Sequence, residues 1–384
     1  MSSTPMAIDS PMPPAGLGLG SRPANGALAT AKVIDMISLF RPTKLFRREA
    51  SGSSKPGPTS ILSLDFDDPG ELLLTSESDN SLQIYNLKEG KHSKTCLSQK
   101  YGAMHAIFGH ANSCIIHSST KINHTIRYLS THDNSYLRYF EGHEDNVTCL
   151  ALHPGQDTFI SCSEDDTVRL WDAGSKNGLG KLYLKGTYLA AWDPSGNVFA
   201  VASPIAQSVL LYDFRNFDKE PFATFDILEL AQGVGPNAIT KGWNKIEFSN
   251  DGKHLLLGTT GDGHFLIDAF NGFLKSYLKL ERGGTRRLGA GEHNPQGIDP
   301  SDALLPSTGD CSFTPDGRYV LSGMKRENVA VWDTLAAAPE KKGSPVNELE
   351  FKGEAAVLAV NPRYNFFATG DKEVVFWVPD PHAA

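Results

Sequence analysis

One stretch of this chain brings together residues that could do acyl-transfer chemistry. Gly142–His143 is followed, after a short apolar segment, by SCSEDDTVRLWD at residues 161–172. At a cleft, Ser161 or Ser163 would be a nucleophile, His143 its base and Asp165 the group that orients the imidazole. Buried together with the Trp171 indole, the same groups would form a hydrogen-bond network that fixes how strands pair. Catalysis needs one copy at a cleft, whereas a folding device recurs wherever a unit of the fold can use it. The choice therefore depends on the elements around the motif.

Other chemistry is not written in the chain. Its 12 histidines include no HExxH, and none sits at ligand spacing beside a cysteine, so no metal site is expected. GTTGDGHF (258–265) and RGGTRRLGAG (282–291) are Gly-rich but match neither phosphate-cradling pattern, and no cofactor is expected. The five cysteines are oddly spaced, without a CxxC, which suits a reducing compartment such as the cytosol or nucleus. A net charge of −8 gives no reason to expect sequence-specific nucleic-acid binding. No apolar run reaches membrane-spanning length, and a membrane is not an expected partner. Residues 1–32, rich in Pro, Gly, Ala and Ser and without a secretory pattern, read as a disordered lead-in.

The positioning elements are repeats. Aligned on Trp171–Asp172, similar endings occur at SLQIYN (81–86), HTIRYLS (124–130, with Tyr128 taken as the aromatic), SVLLYD, HFLID, NVAVWD and EVVFW. Most intervals are about 41–44 residues, the period of a four-stranded propeller blade. Upstream of most endings lies a Pro/Gly/Asp hairpin turn: DDPGE (67–71), HPGQD (153–157), DPSGN (193–197), SNDGK (249–253), TPDGR (314–318) and NPRYN (361–365). The second unit has FGHANS (108–113) there, which makes His110 a turn residue. Seven units result, but the last stops at VFWVPDPHAA without a fourth strand. An open edge would expose unpaired backbone groups. The segment Pro42–Arg48 has the right alternation to supply the missing strand. The expected fold is all-β: a seven-bladed propeller over 33–380, closed by an N-terminal strand, with a short tail at 381–384.

In that setting the motif reads as framework. His143, Asp165, Trp171 and Ser161 or Ser163 are assigned to a structural network, and Asp79 and Tyr85 mark a partial copy in blade one. Blade six carries Arg326 and blade four Ala206 in the acid's place. No catalytic residue is expected.

GHEDNVTCLALHPGQDTFISCSEDDTVRLWD resembles a WD repeat, a platform for protein partners. Further runs go beyond what a blade requires: KINHTIRYLSTHDNSYLRYFEGH (121–143), LLYDFRNFDKEPFATF (210–225), FSNDGKHLLLGTTG (248–261), FLIDAFNG (265–272) and VVFWVPD (374–380). These are similar to the small WD-repeat subunit of COMPASS-type histone H3 lysine methyltransferase complexes, which fungi share with the cleavage and polyadenylation factor. The resemblance spans nearly all of 32–380. It implies a nuclear, non-catalytic scaffold that docks the methyltransferase catalytic chain and other COMPASS subunits. It also implies links to cleavage/polyadenylation factor subunits, a protein phosphatase module and the phosphorylated RNA polymerase II tail. A phospho-tail calls for cations, and Lys44, Arg47 and Arg48 are candidates. Phe214, Arg215, Phe217 and Lys219 have the composition of an interface anchor. The segments 227–241, 281–308 and 335–346 look longer than the family core and read as flexible projections. A polyadenylation and termination role is the alternative. A propeller hydrolase is the distant one, since no acidic or His position recurs at the channel-facing strand starts.

Overall fold

The computed structural model describes residues 36–48, 59–235, 240, 242–281, 283–299, 302–325, 327–336 and 342–380. The expected lead-in 1–32, the tail 381–384 and Arg326 lie outside the described residues. Seven sheets, each built on four antiparallel strands, stand in a ring, as the repeat implies. Blade one is Ile61–Phe66, Leu72–Glu77, Ser81–Asn86 and Lys91–Leu97; blade three is Val147–Leu152, Thr158–Ser163, Thr167–Asp172 and Gly178–Tyr183. Each hairpin turn read from the sequence joins the first strand of a blade to its second.

The inner strands are largely buried on both faces because each blade is covered by two neighbours. In blade three, Ile160, Cys162, Val168 and Leu170 pack on Trp192, Phe199, Val201 and Tyr212 of blade four. Phe159 and Trp171 pack on Ile116, Ile126 and Phe140 of blade two. The turn between second and third strands repeats a left-handed residue, at Asn80 (φ 63°), Asp166 (φ 59°), Gln207 (φ 53°) and Asn328 (φ 69°). Asn and Asp accept that conformation at lower cost than most side chains.

Blade two corrects one alignment. Leu129, facing Ile115, stands where Trp171 faces Phe159, and Tyr128 is displaced by one residue. Alternation then turns Tyr128 to the other face, so an aromatic anchor misled the register.

The ring closes through Phe40–Arg47, which pairs with Glu373–Pro379 from Phe40↔Pro379 to Arg47↔Glu373. A shift between Pro42 and Lys44 absorbs the proline, which has no N–H to donate. Of the preceding 33–40, Met36–Leu39 form a turn, with Leu39 N–H donating to Met36 O. Phe46 packs, tilted, 5.0 Å from both Phe376 and Tyr85, and so ties the closing strand to blade one as well as to blade seven.

Described residues of the three segments read as projections make contacts with the ring. Ile227–Gln232 is a short helix capped by Asp226, and it buries Ile227 and Ala231 between blades four and five. Lys342–Gly343 adds a fifth, parallel strand to blade five beside Tyr277–Leu278; residues 337–341 of that loop lie outside the described ones. The described residues of 281–308 form a strap that touches blades five, seven and one. Its Arg287, with a side chain 3% exposed, pairs with Asp371 of blade seven at 2.5 Å. Ala290 N–H donates to Trp243 O, and Thr308 N–H donates to Leu62 O of blade one. Its glycines serve close approach: a Cβ on Gly289 would lie 2.7 Å from the Gly242 backbone.

Phe46→Ala removes the ring that joins both ends of the chain. A loss of about 2–3 kcal/mol is expected in urea unfolding, read as a lower midpoint at unchanged slope.

Candidate functional site

The network at blade three is assembled from two turns. His143 enters from the turn before the first strand, and Asp165 and Thr167 come from the turn between the second and third. Gly142 is required there: its φ is +155°, and a Cβ would collide with the Arg169 guanidinium, which donates to Gly142 O. The proton order follows from the donors. Trp171 Nε1–H donates to Ser161 Oγ at 2.8 Å, Ser161 Oγ–H to His143 Nε2 at 2.7 Å, and His143 Nδ1–H to Asp165 Oδ2 at 2.9 Å. Glu144 N–H also reaches Asp165 Oδ2, and Thr167 Oγ reaches Oδ1 at 2.5 Å.

This is the bonding order of a hydrolytic triad, but it is sealed. Ser161 is fully buried, and its oxygen already accepts the indole N–H, so no carbonyl can approach it. Ser163 stands apart, donating to Asp145 O. Burial lowers the His143 pKa against the pull of Asp165. Burial alone would raise Asp165, but Thr167, the Glu144 N–H and His143 hold its carboxyl down at about 2. Thr167 was not singled out from sequence; its place two residues after Asp165 was the available signal.

Blade one answers differently from its partial motif. Asp79 accepts from Ser81, and Tyr85 occupies the Trp171 position against Leu73. In the place of His143 stands Arg48, which donates to Glu77 Oε2 at 2.8 Å and to Ser81 Oγ at 3.2 Å, with Asp79 at 4.0 Å. Arg48, read from the sequence as a candidate cation for a phosphorylated tail, is thus engaged by blade one. Lys44, exposed, donates to Gly90 O at 2.7 Å, and Arg47 lies 3.5 Å from its cross-strand partner Glu373.

On the opposite face the hairpin turns grip one another around the ring. His110 of blade two meets Asp68 of blade one at 2.7 Å and donates to His153 O and Gln156 O of blade three. His153 donates to Gly196 O of blade four, and Asn361 of blade seven to Gly70 O of blade one. Burial works against a proton on His110, but Asp68 and the two carbonyls outweigh it and raise the pKa.

The loop 214–219 is pinned rather than free. Phe214 packs 5.0 Å from Trp192, and Phe217 fills the space above Gly180, while Arg215 and Lys219 face solvent. In the channel, Lys245 pairs with Glu247 at 3.0 Å, and burial pushes Asp65 up to about 7. His264, Asp310 and Cys311 lie close enough to share an ion. However, His264 accepts from Thr259 N–H and bonds Ser322, while Asp310 accepts from Asn244 and Thr285. Burial raises the Cys311 thiol well above its usual range, so it is a neutral neighbour and a poor ligand.

Comparison with known proteins places this geometry. Residues 51–86 and 134–172 match the WD domain, G-beta repeat. WD repeat-containing protein 82 of Drosophila melanogaster is 37% identical over 350 residues, covering 91% of this chain and 97% of that protein. COMPASS component SWD2 of Saccharomyces cerevisiae is 36% identical, covering 83% and 91%. Set1 complex component swd2 of Schizosaccharomyces pombe is 40% identical over 238 residues, covering 62% and 63%.

Ser161→Ala would leave His143 Nε2 and the Trp171 indole N–H unpaired, and a loss of about 2 kcal/mol is expected on chemical unfolding. The two histidines have opposite pH signatures. His143 has a lowered folded pKa, so below about pH 6.5 the unfolded chain takes up a proton that the folded chain refuses, and stability falls. His110 has a raised folded pKa, so its contribution is full below about pH 6.5 and is lost as pH rises through the folded value. The stability gap between wild type and His143→Ala should therefore shrink from about pH 7 to about pH 5, and that for His110→Ala from about pH 6 to about pH 8.

Proposed function

The chain belongs to the family of WD repeat-containing protein 82 and the COMPASS component SWD2, and on that premise we propose that it is a non-catalytic scaffold subunit of a histone H3 lysine methyltransferase complex. The carrying observation is the extent of the likeness: 97% of one relative and 91% of another are matched, blades and connecting loops together. Loops are the informative part, because a blade does not require their sequence. The sealed Ser161–His143–Asp165 chain supports a scaffold over a hydrolase.

In this reading the protein works in the nucleus, docks the methyltransferase catalytic chain, and links the complex to the phosphorylated tail of RNA polymerase II. With Arg48 held by Glu77, the cations left for a phosphorylated tail are Lys44 and Arg47 on the closing strand and Arg215 and Lys219 on the pinned loop. A rigid loop presenting an arginine loses little entropy on binding, which favours it as an anchor. A role in cleavage, polyadenylation and termination with a phosphatase module is the second reading, supported by the loop resemblance alone.

Affinity purification of the tagged chain from its own cells, followed by mass spectrometry, tests the assignment. Recovery of a methyltransferase catalytic chain with other complex subunits is expected. Recovery of cleavage-factor subunits alone would favour the second reading, and recovery of neither would overturn both.

A further inference from the structure

Between the strap and the tops of blades two and three lies a cavity of about 390 Å³ that none of the interactions above uses. Its floor holds His105, 8% exposed, in a left-handed conformation (φ 51°) at a break in the pairing of Met104–Phe108. A left-handed non-glycine residue is costly, and such positions cluster where a side chain must be aimed. His105 lines the cavity, and among the described residues its imidazole has no hydrogen-bonding or charged partner. Burial alone lowers its pKa to about 4, so the ring is neutral near pH 7 and one nitrogen is a free acceptor.

The charged lining is one-sided among the described residues. Glu164 and Glu292 line the space, Glu292 accepting from Gly289 N–H at 2.9 Å, and no lysine or arginine is among the described lining residues. Glu164, 13% exposed at its side chain, accepts from Asn146 Nδ2 at 3.1 Å and lies 3.3 Å from the mostly exposed His293. Leu288 and Leu305 of the strap supply an apolar wall. An aliphatic stem ending in a forked cation suits this combination: the stem lies along the leucines, and the fork donates to a carboxylate and to a neutral imidazole.

We propose that this cavity is a recognition site for an arginine side chain carried on an extended peptide of a partner protein. A phosphate backbone is disfavoured there by the two carboxylates. The site does not depend on the methyltransferase assignment, because it is a property of the isolated chain.

The test is fluorescence anisotropy of the full chain with the labelled peptide Gly-Ser-Arg-Ser-Gly, and the same peptide with Ala at its centre. Saturable binding of the Arg peptide alone is expected. Glu164→Gln should weaken it about tenfold, through loss of a charge-assisted bond. His105→Asn, which keeps a residue tolerant of the left-handed conformation, should weaken it about fivefold. If melting curves show that Glu164→Gln is unfolded, Glu292→Gln takes its place. No saturable binding, equal binding of the Ala peptide, or wild-type affinity in these variants would overturn the proposal.

Discussion

A ring of sheets has a difficulty that a sandwich does not: its first and last units must meet, and the chain has two ends at the meeting point. If the last sheet were built only from the end of the sequence, its outer edge would present unpaired N–H and C=O groups. Here the strand Phe40–Arg47 joins Glu373 to Pro379, so that blade seven contains both ends of the described ring. The side chains of that strand extend the closure beyond its own blade. Phe46 contacts Tyr85, Lys44 reaches Gly90 O, and Arg48 just beyond it reaches Glu77, all in blade one. Closure is thus a backbone ladder on one side and an aromatic and ionic clamp on the other.

The remaining blades are held by fewer kinds of interaction. Large side chains of one blade fill the face of the next, and turn residues on one side of the ring accept and donate between neighbours. The Trp171–Ser161–His143–Asp165 chain is a polar version of the same task, locking the turn before a blade to the turn inside it. Arg48 with Glu77 performs that task where a histidine is missing. Seen this way, a triad-like order of donors and acceptors carries no catalytic meaning unless its oxygen is open to a substrate.

Much of this was legible in the sequence because it rests on local chemistry. Pro and Gly at fixed offsets mark the hairpin turns, and a roughly constant period counts the blades. The missing fourth strand at the end identified the closing strand at the start. What was not legible depends on distant contacts. Tyr128 looked like the motif aromatic, yet Leu129 holds that register, and only pairing with Ile115 reveals it. Arg48 looked like a free cation because Glu77, its partner, lies 29 residues away in another blade. The close approach of Gly289 to Gly242 was not legible either, because nothing local shows the backbone it meets.

A stiff disc with two faces and a closed rim suits a subunit whose work is to hold other chains in place. That account depends first on closure being as strong as any other part of the ring. Native-state hydrogen exchange measures this directly, comparing amides of Glu373–Pro379 and Phe40–Arg47 with those of blade three. The account predicts that both sets exchange only through global unfolding, at one common free energy. Exchange of the blade-seven amides through a local opening, at a much lower free energy than blade three, would contradict it.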